Sequence, residues 1–565
     1  MPKTYCNPVF PYRRSPDQDA ERATRHPVIV VGAGPVGLTA ALDLARRGVR
    51  VLVLDEDDTV SLGSRAICFA QRSLEIFDRL GVGQRMVDKG VTWSRGKVFF
   101  GERLIYAFEL LPEAGYKRPA FINLQQYYVE QFLIERAAEL ENVEIRWGNR
   151  VSVVEPADAG ARLAVETVDG PYALECDYLI AADGAKSTVR RALGLAFAGQ
   201  SFEDHFLIAD VVMRAAFPSE RWFWFDPPFH AGHSALLHRQ PDDVWRIDLQ
   251  LGPGADREAE RSPERVAPRL RAMLGEDTPF DLDWVSVYTF QCARLEHFRH
   301  GRVFFAGDAA HVISPFGARG ANGGIQDAEN LAWKLALVLE GAAPEALLAS
   351  YEAERIPAAD ENIRHSTRST EFIAPKGAAA RALRNAALEL AARQPFARRL
   401  VNSGRLSRPA VYVDSPLNTA DRDGFLGPLV PGAPALDAPV EASGSGWLLD
   451  HLGSGFSLML FADAERAAAE LRALSASLGL EALIVRLERG GSGQQTGVPV
   501  VTDRAGLIAR RYDARPGTIY LIRPDHHVAA RFRRLDAAAI RTALARALGN
   551  PDARSEATAR SLSHG

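Results

Sequence analysis

The chain has 565 residues, of which 47% are hydrophobic and 24% are charged, and its formal net charge is -4 at pH 7. A chain of this length exceeds a single hydrophobic core, so we expect two to four domains. The small negative charge gives no electrostatic reason to expect a nucleic-acid partner or an anionic membrane surface. The cysteines are far apart in the sequence and form neither a CxxC pair nor a metal-ligand spacing, so we expect a reduced cytoplasmic setting without a metal site. They are Cys6, Cys68, Cys176 and Cys292.

The first 26 residues hold four prolines, several charges and no apolar core. We therefore expect a poorly ordered leader here, not a signal peptide or a membrane anchor. No other stretch approaches the roughly 20 apolar residues that a membrane helix needs. No membrane partner is expected.

A glycine motif follows the first predicted strand. Residues 28–31 are an apolar run typical of a buried strand, residues 35–47 have helical periodicity, and residues 49–54 predict a second strand. Between the first strand and the helix stands Gly32-Ala33-Gly34-Pro35-Val36-Gly37. Such glycines let the backbone approach a pyrophosphate at a helix N-terminus, and Asp55, after the second strand, can accept hydrogen bonds from a ribose. The alternative is an ordinary tight strand–helix turn.

Two further clusters resemble the first in their position after an apolar run. Asp183-Gly184 follows residues 179–182 and is by itself equally typical of a plain turn. Gly307-Asp308 is followed by a glycine-rich stretch and by a predicted helix over residues 322–339, whose N-terminus would favour the negative charge of a reduced flavin ring. Three turns of this kind from distant parts of the chain could bind one long cofactor.

In these motifs and their order the chain resembles the class A flavoprotein monooxygenases, the aromatic hydroxylases related to 4-hydroxybenzoate 3-hydroxylase. It is most similar to the branch that contains the 3-(3-hydroxyphenyl)propionate and phenol hydroxylases, over about residues 27–400. The resemblance implies FAD as cofactor, NADH or NADPH as a transiently bound reductant, and O2 with a phenolic substrate that is hydroxylated through a flavin C4a-hydroperoxide. A homodimer is also expected. The residues that the resemblance assigns to the cofactor are Gly32, Gly34, Gly37, Asp55, Arg65, Gln126, Asp183, Gly307, Asp308, Gly320, Ala321 and Asn322.

Three residues are assigned to the reaction by the same resemblance. Pro315 matches the family proline that lines the hydroxylation site, His238 falls where a polar substrate contact is expected, and Arg246 matches an arginine near the flavin. An aromatic cluster over residues 222–229 could form a wall of the pocket, although ordinary sheet packing would explain it equally well. Gln240 stands where the benzoate hydroxylases place a carboxylate-binding arginine, which argues against 4-hydroxybenzoate as the substrate.

The predicted fold class is α/β. We expect a Rossmann-like FAD-binding domain of the glutathione-reductase type, built from residues 27–196 and 292–401, with a sheet-rich substrate domain inserted at residues 197–291. The remaining segments are a linker rich in proline and glycine, a thioredoxin-like domain and a tail, at residues 402–444, 445–550 and 551–565. The thioredoxin-like domain lacks cysteine, so it cannot perform dithiol chemistry, and a structural or dimer-contact role is expected.

Two other functions agree with the same sequence. The first is a flavin monooxygenase that tailors a larger polyketide or antibiotic-like substrate, since that branch shares the predicted domains. The second is a non-enzymatic flavoprotein, which is disfavoured because an intact ring-binding loop would then have no purpose.

Overall fold

The computed structural model describes residues 4–111, 113–215, 217–401, 406–462, 465–487 and 497–550. The expected tail at 551–565 lies outside the described residues. The chain divides into two compact units, the first made of residues 1–112, 119–328 and 359–408 and the second of residues 113–118, 329–358 and 409–565. No helix among the described residues is long and apolar enough to cross a membrane.

The helices of the described residues include short connectors as well as long core helices. Their bounds are α1 (Pro35–Arg46), α2 (Gln71–Arg79), α3 (Gly83–Lys89), α4 (Gln126–Ala137), α5 (Thr188–Ala192), α6 (Pro263–Leu274), α7 (Gly320–Leu339), α8 (Ala349–Ile373), α9 (Gly377–Arg393), α10 (Arg398–Val401), α11 (Glu465–Leu478), α12 (Leu507–Arg511) and α13 (Ala537–Ala547).

The strands form two eight-stranded sheets, one five-stranded sheet and one three-stranded sheet among the described residues. Their bounds are β1 (Thr24–Val31), β2 (Val51–Leu54), β3 (Cys68–Ala70), β4 (Val91–Trp93), β5 (Arg95–Phe100), β6 (Arg103–Glu109), β7 (Phe121–Asn123), β8 (Val143–Arg146), β9 (Arg150–Ala157), β10 (Gly160–Glu166), β11 (Tyr172–Ala181), β12 (Ala198–Val212), β13 (Arg221–Phe225), β14 (Ser234–Arg239), β15 (Val244–Leu251), β16 (Asp281–Arg294), β17 (Arg299–His300), β18 (Val303–Phe305), β19 (His311–Val312), β20 (Ser457–Phe461), β21 (Glu481–Arg486), β22 (Val500–Thr502), β23 (Ile519–Ile522) and β24 (Val528–Phe532).

The first sheet confirms the predicted Rossmann-like start. Its strand order is β17-β18-β11-β1-β2-β8, and β1 runs parallel to both β11 and β2. The apolar end of β1 is fully buried, as expected for a strand with neighbours on both edges and helices on its faces. Gly32 ends this strand at φ +104°, and a Cβ there would lie 2.6 Å from the carbonyl oxygen of Ala182. Only glycine fits this turn.

The second sheet is the predicted sheet-rich region with additional strands. Its order is β19-β16-β12-β15-β14-β13-β5-β6. The expected segment at residues 197–291 supplies the centre of the sheet, but β5 and β6 come from residues 95–109 and pair with it through β13. Residues far apart in the sequence therefore share one sheet face.

The N-terminal segment differs from our expectation. Instead of a poorly ordered leader, residues 4–26 pack against the first unit through aromatic contacts. Tyr5 stacks on Tyr127 with ring centroids 4.1 Å apart, and Phe10 stacks on Trp147 at 4.5 Å. The segment carries no apolar run, but its isolated aromatic side chains still bury enough surface to fix it.

The second unit contains the mixed sheet β22-β21-β20-β23-β24, in which β20 is parallel to β21 and antiparallel to β23. All five strands lie within the segment expected to form this domain, residues 445–550. The predicted linker is not a separate segment, since within its described part Leu417, Leu429 and Ala438 are buried in the core of this unit. Proline and glycine there form turns that carry core residues.

Four ionised side chains are fully buried inside the second unit. Glu354 accepts hydrogen bonds from Lys334 Nζ at 2.8 Å and from the Arg523 guanidinium at 2.5 and 2.9 Å, and Arg523 also pairs with Asp525 at 2.6 Å. Burial opposes ionisation of Glu354, but the charges of Arg523 and Lys334 outweigh it and hold the pKa of the carboxyl well below its usual value.

Candidate active site

An open cavity of about 2470 Å³, including the solvent at its mouth, lies within the first unit. It extends from the carboxyl ends of β1, β2 and β11, the usual position of ligand sites in open α/β sheets, to one face of the second sheet. The three glycine and aspartate clusters of the sequence meet here. The predicted residues that line the cavity are Gly32, Gly34, Asp55, Arg65, Gln126, Asp183, His238, Arg246, Asp308, Pro315, Gly320, Ala321 and Asn322.

Two predicted cofactor residues, Gly37 and Gly307, do not line the cavity. A Cβ on Gly37 would overlap the carbonyl oxygen of Gly32, and a Cβ on Gly307 would lie 2.9 Å from the side chain of Val36. Both glycines allow α1 to approach its neighbours closely. They influence the shape of the cavity through this close packing and do not line it themselves.

The first turn combines a helix N-terminus with a buried carboxylate. Gly34 is the N-cap of α1 and provides no side-chain cap, and a Cβ there would meet no atom within 4 Å. Asp55 accepts hydrogen bonds from the backbone N–H groups of Ala33 and Asp57, and burial raises the pKa of its carboxyl to about 6. This arrangement suits a phosphate above the helix and a hydroxyl donor at Asp55.

The second turn leaves one carboxylate oxygen available for a ligand. Oδ2 of Asp183 accepts a hydrogen bond from the backbone N–H of Val189 at 3.1 Å, whereas Oδ1 is buried with no partner among the described residues. Burial raises the pKa of this carboxyl. Because buried polar atoms are usually hydrogen-bonded, the free oxygen indicates a hydroxyl or N–H group of a bound ligand.

The third turn is held by residues that sequence reasoning missed. Asp327 Oδ2 accepts hydrogen bonds from the backbone N–H of Gly307 at 3.0 Å and from His311 Nε2 at 2.6 Å. His311 and Asp327 are buried. The pair fixes the backbone ahead of α7 and leaves Asp308 facing the cavity. His311 closely follows the Gly307-Asp308 turn and Asp327 lies in the predicted helix, but nothing in their spacing of 16 residues indicates the contact.

Asn322 proves to be an anchor. Its Oδ1 accepts hydrogen bonds from the Ala70 N–H and the Ser73 hydroxyl, and its Nδ2 donates to the carbonyl oxygens of Cys68 and Ala318. These four bonds use the full capacity of the amide. The side chain of Asn322 therefore ties the segment at residues 68–73 to the start of α7, and only its backbone remains for a ligand.

A row of polar side chains crosses the cavity face of the second sheet. In the strand register His238 lies opposite Arg246, and Arg246 lies opposite Asp210. Trp222 pairs with Leu237, so Arg221 stands beside His238 at the next position. Residues that lie directly opposite each other on neighbouring strands point to the same face of a sheet. All four residues therefore point to the same face.

Arg246 is fully engaged with the protein. Its guanidinium pairs with both oxygens of Asp210 at 2.8 Å and donates to the carbonyl oxygens of Ser64 and Arg65. The side chain is buried, with 3% of its surface exposed. Arg246 thus positions the loop that carries Arg65.

Three other polar groups in the cavity wall have polar atoms without a hydrogen-bond partner in the described part of the chain. His238 is 3% exposed and its Nδ1 has no hydrogen-bond partner among the described residues; burial and the charges of Arg221 and Arg246 hold its pKa well below the usual value, so the imidazole is neutral. Asp248 Oδ1 is also unpartnered, and burial raises the pKa of this carboxyl to about 6. Arg221 has no hydrogen bond or ion pair among the described residues.

Sequence reasoning missed Arg221 and Asp248. A signal was present, because polar residues alternate with apolar ones at positions 246, 248 and 250 of a buried strand. Such alternation on a buried strand predicts that both faces are occupied, one by core and one by a polar site.

A smaller cavity, of about 610 Å³ when the open solvent at its mouth is included, adjoins the first and shares Arg221, Phe316 and Arg319 with it. Its other lining is largely apolar and includes Phe108, Phe223, Phe225 and Ile373. The described part of the chain contains no group of three or more His, Cys, Asp or Glu side chains that could hold a metal ion.

The fold and this cavity define a flavin-dependent monooxygenase, and comparisons with known proteins agree. The family model described as FAD binding domain matches residues 25–366, and the model described as HcaD C-terminal domain matches residues 438–547. The chain is 34% identical to the 6-methylpretetramide 4-monooxygenase of Streptomyces rimosus over 535 residues, 90% of this chain and 91% of that protein. It is 28% identical to a 3-(3-hydroxy-phenyl)propionate/3-hydroxycinnamic acid hydroxylase of Mycolicibacterium smegmatis over 515 residues, 89% of this chain and 90% of that one.

A solved structure shares the fold over most of the chain. The flavin-dependent monooxygenase PieE, in complex with FAD and substrate, superimposes with a TM-score of 0.78 over 93% of this chain and 99% of that chain, at 23% identity. The chain therefore belongs to the class A flavoprotein monooxygenases with the FAD binding domain, and it is a flavin-dependent aromatic hydroxylase.

The residues present fit FAD. The cavity is long enough to be lined by all three turns, the space above Gly34 is open, and Asp183 offers an unpartnered oxygen. These features match a ligand with a pyrophosphate and several hydroxyl groups.

Proposed function

We propose that the protein adds a hydroxyl group to a phenolic ring, with NADH or NADPH as electron donor and O2 as oxidant. The observation that carries the proposal is one continuous cavity. The three cofactor turns line one part of it, and Pro315, His238 and the neighbouring polar row line another. A substrate held against the second sheet would lie within reach of a flavin held by the first.

The proposed cofactor contacts follow from the geometry of the turns. The N-terminus of α1 at Gly34 would hold the pyrophosphate, Asp55 would accept hydrogen bonds from the adenosine ribose, and Asp183 and Asp308 would accept them from hydroxyl groups of the cofactor. Arg65 would contact the ribityl–phosphate part. The backbone around Gly320, Ala321 and Asn322 would meet the flavin ring, and Gln126 would support Arg65 through its hydrogen bond with the N–H of Ala66.

Bound FAD supplies the redox and oxygen chemistry, and the chain supplies position, protons and shelter from water. The N-terminus of α7 favours negative charge beside it. His238 is neutral and has a free ring nitrogen, which can hydrogen-bond the substrate hydroxyl and make the ring more electron-rich. Pro315 lines the wall beside the start of α7 without offering a competing polar group.

The substrate is a single-ring phenol in the first instance, as in the hydroxylase of Mycolicibacterium smegmatis. A specific observation favours a second candidate, a phenol fused into a larger polyketide-like skeleton. The smaller cavity adjoins the first at Arg221 and Phe316 and has mostly apolar lining residues, so an apolar extension of the substrate would contact them. The name of the Streptomyces rimosus relative supports the same candidate.

The test begins with the purified protein and its visible spectrum, which should show oxidised flavin. Oxidation of NADH and of NADPH is then measured with single-ring phenols and with hydroxylated anthraquinones, and products are analysed by mass spectrometry. We expect one class to accelerate flavin reduction and to gain one oxygen atom. If no aromatic compound does either, the proposal is wrong. Sedimentation of the same sample tests the predicted homodimer.

A further inference from the structure

Arg221 is a buried cation that faces the substrate part of the cavity. It begins β13 and lies on the same sheet face as His238 and Arg246, and it lines both the large and the small cavity. Only 8% of the residue is exposed. Among the described residues, its guanidinium makes no hydrogen bond, and no carboxylate oxygen lies within 4.0 Å of it.

The contrast with Arg246 is informative. Both arginines belong to one row on one sheet face, but Arg246 has a bidentate partner in Asp210 at 2.8 Å and two backbone acceptors. Arg221 has neither. A buried charge without a direct partner is costly, so a retained guanidinium with five unused donors indicates an anionic ligand.

The surroundings leave space for such a ligand. Arg221 lines both cavities, and these provide the open space. The position beside it on β5 is filled, since its neighbour there is Gly96 and the ring of Phe108 packs over that glycine. On the other side stand the neutral His238 and, one row along, Asp248 with its unpartnered oxygen. Arg221 is therefore the cationic point of a polar patch bordered by aromatic rings.

We propose that Arg221 binds an anionic oxygen of the substrate, either a carboxylate or an ionised ring hydroxyl, and thereby fixes which ring carbon faces the flavin. The inference rests on the proposed function and adds to it the charge of the substrate and the residue that selects it. A planar guanidinium can hold either kind of oxygen through charge-assisted hydrogen bonds. The experiment must therefore separate the two.

The test uses FAD-loaded wild-type protein and the R221M, R221K and R95M variants. Arg95 is a matched control, since it stands on neighbouring β5 but is half exposed and faces Glu109 and Glu220. Two ligand pairs are titrated by the change in flavin absorbance: 3-(3-hydroxyphenyl)propionate against its amide, and 4-nitrophenol against 4-nitroanisole. Each pair differs in its ability to carry negative charge while its shape stays similar.

We expect wild type and R95M to prefer the anion of at least one pair by about 10- to 100-fold, as a buried charge-assisted hydrogen bond predicts. R221M should abolish that preference and leave the neutral ligand's affinity within about threefold, and R221K should retain part of it. Loss in the propionate pair identifies a carboxylate, and loss in the nitrophenol pair identifies an ionised hydroxyl. Hydroxylation of the preferred ligand should move to other ring positions or uncouple in R221M.

Several outcomes would overturn the proposal. These are no charge preference of wild type in either pair, a preference that R221M keeps, and an equal weakening of anion and neutral ligand in R221M, as a purely structural arginine would give. If R221M does not fold, the preference of wild type and its reduction in R221K still decide the matter. Failure of the hydroxylase function itself would appear separately, as absent flavin or absent NAD(P)H oxidation in wild type.

Discussion

At the scale of single residues, the cavity wall contains two kinds of polar side chain. Arg246 and Asn322 form their hydrogen bonds with other groups of the protein, and in this way they position loops. Asp183 and His238 keep buried atoms without partners among the described residues. Because unpartnered buried atoms are costly, we expect substitutions in the second group to alter ligand binding more than folding, and substitutions in the first group to do the reverse.

Asp55 provides a separate test at this scale, because its carboxyl both accepts backbone hydrogen bonds and lines the cavity. We predict that Asp55→Asn weakens FAD binding by about tenfold or more, since a charged acceptor for a ribose hydroxyl is lost. The same change should stabilise the FAD-free protein at pH 7. The folded carboxyl has a raised pKa of about 6 against 3.8 when unfolded, so stability falls as pH rises from about 4 to 6 and stays lower above that range.

The measurements are a fluorescence titration with FAD and thermal unfolding of the FAD-free protein at pH 4 and pH 7. The exposed neighbour Asp58 provides the control variant Asp58→Asn, which should change neither quantity. A stabilising effect of Asp55→Asn that is equal at both pH values would contradict the assigned role of its ionisation.

Residue roles were predictable where they depend on the backbone and unpredictable where they depend on register. The turns at Gly32, Asp183 and Asp308 follow apolar strands, so their meeting at one edge could be expected from sequence. Arg221 and Asp248 become neighbours of His238 only through the pairing of β13, β14 and β15. A shift of one residue in any strand would move them to the opposite face.

At the scale of elements, α7 is the helix that closes the cofactor part of the cavity. Its first turn follows the glycine-rich loop, and Gly324 packs against the backbone of Gly307. A Cβ on Gly324 would lie 2.8 Å from Gly307 Cα and 2.6 Å from Val36 Cγ2, whereas a Cβ on Gly323 would have its nearest neighbours at 3.6 Å. Gly323 therefore has space for a Cβ atom, whereas Gly324, the next residue in the same helix, does not.

We predict that Gly324→Ala lowers the free energy of unfolding by roughly 1–3 kcal/mol, through overpacking, and weakens FAD binding because the start of α7 must shift. Gly323→Ala is the matched control and should be neutral or stabilising by up to about 1 kcal/mol, since alanine is the better helix former. Denaturant unfolding and FAD titration of both variants provide the comparison. Equal effects of the two substitutions would show that the close contact at Gly324 is not limiting.

Most of the predicted helices and strands could be recognised from local sequence patterns. The strands that were missed have in common that their pairing partners are distant in the chain. Helix α1, Pro35–Arg46, agrees within one residue with its predicted range of 35–47, because a proline at its start and its apolar periodicity are local signals. Strands β5 and β6 join a sheet whose other members lie more than 80 residues further along the chain. No local pattern encodes that partner, so the predicted insertion omitted them.

At the scale of the whole molecule, each unit has its own means of stability. The second unit combines an apolar core with the buried cluster of Lys334, Glu354, Arg523 and Asp525, in which every charge has a partner. Removing one member leaves a buried charge unpaired. We predict that Glu354→Gln destabilises this unit by about 3–5 kcal/mol at pH 7.

The carboxyl of Glu354 should also account for part of the loss of stability at acid pH. The folded pKa of Glu354 is depressed below the unfolded value of 4.5, so its stabilising contribution is complete above pH 4.5 and is lost as pH falls below it. The gap in thermal stability between wild type and Glu354→Gln should therefore narrow as pH falls from 4.5 to 3, without closing, because the folded pKa lies lower still. Glu340→Gln, an exposed change, is the control, and a constant gap between wild type and Glu354→Gln would refute the linkage.

The pairing of β1 with β11, of β11 with β18, and of β5 with β13 has a consequence for synthesis in the cell. Chains emerge from the ribosome in N- to C-terminal order, and pairings between distant segments form only after both are available. The cofactor turns extend from Gly32 to Asn322, so a nascent chain shorter than that has no complete flavin site. Cofactor loading is thus a late step, and FAD cannot stabilise the unfinished sheet edges until most of the chain has been made.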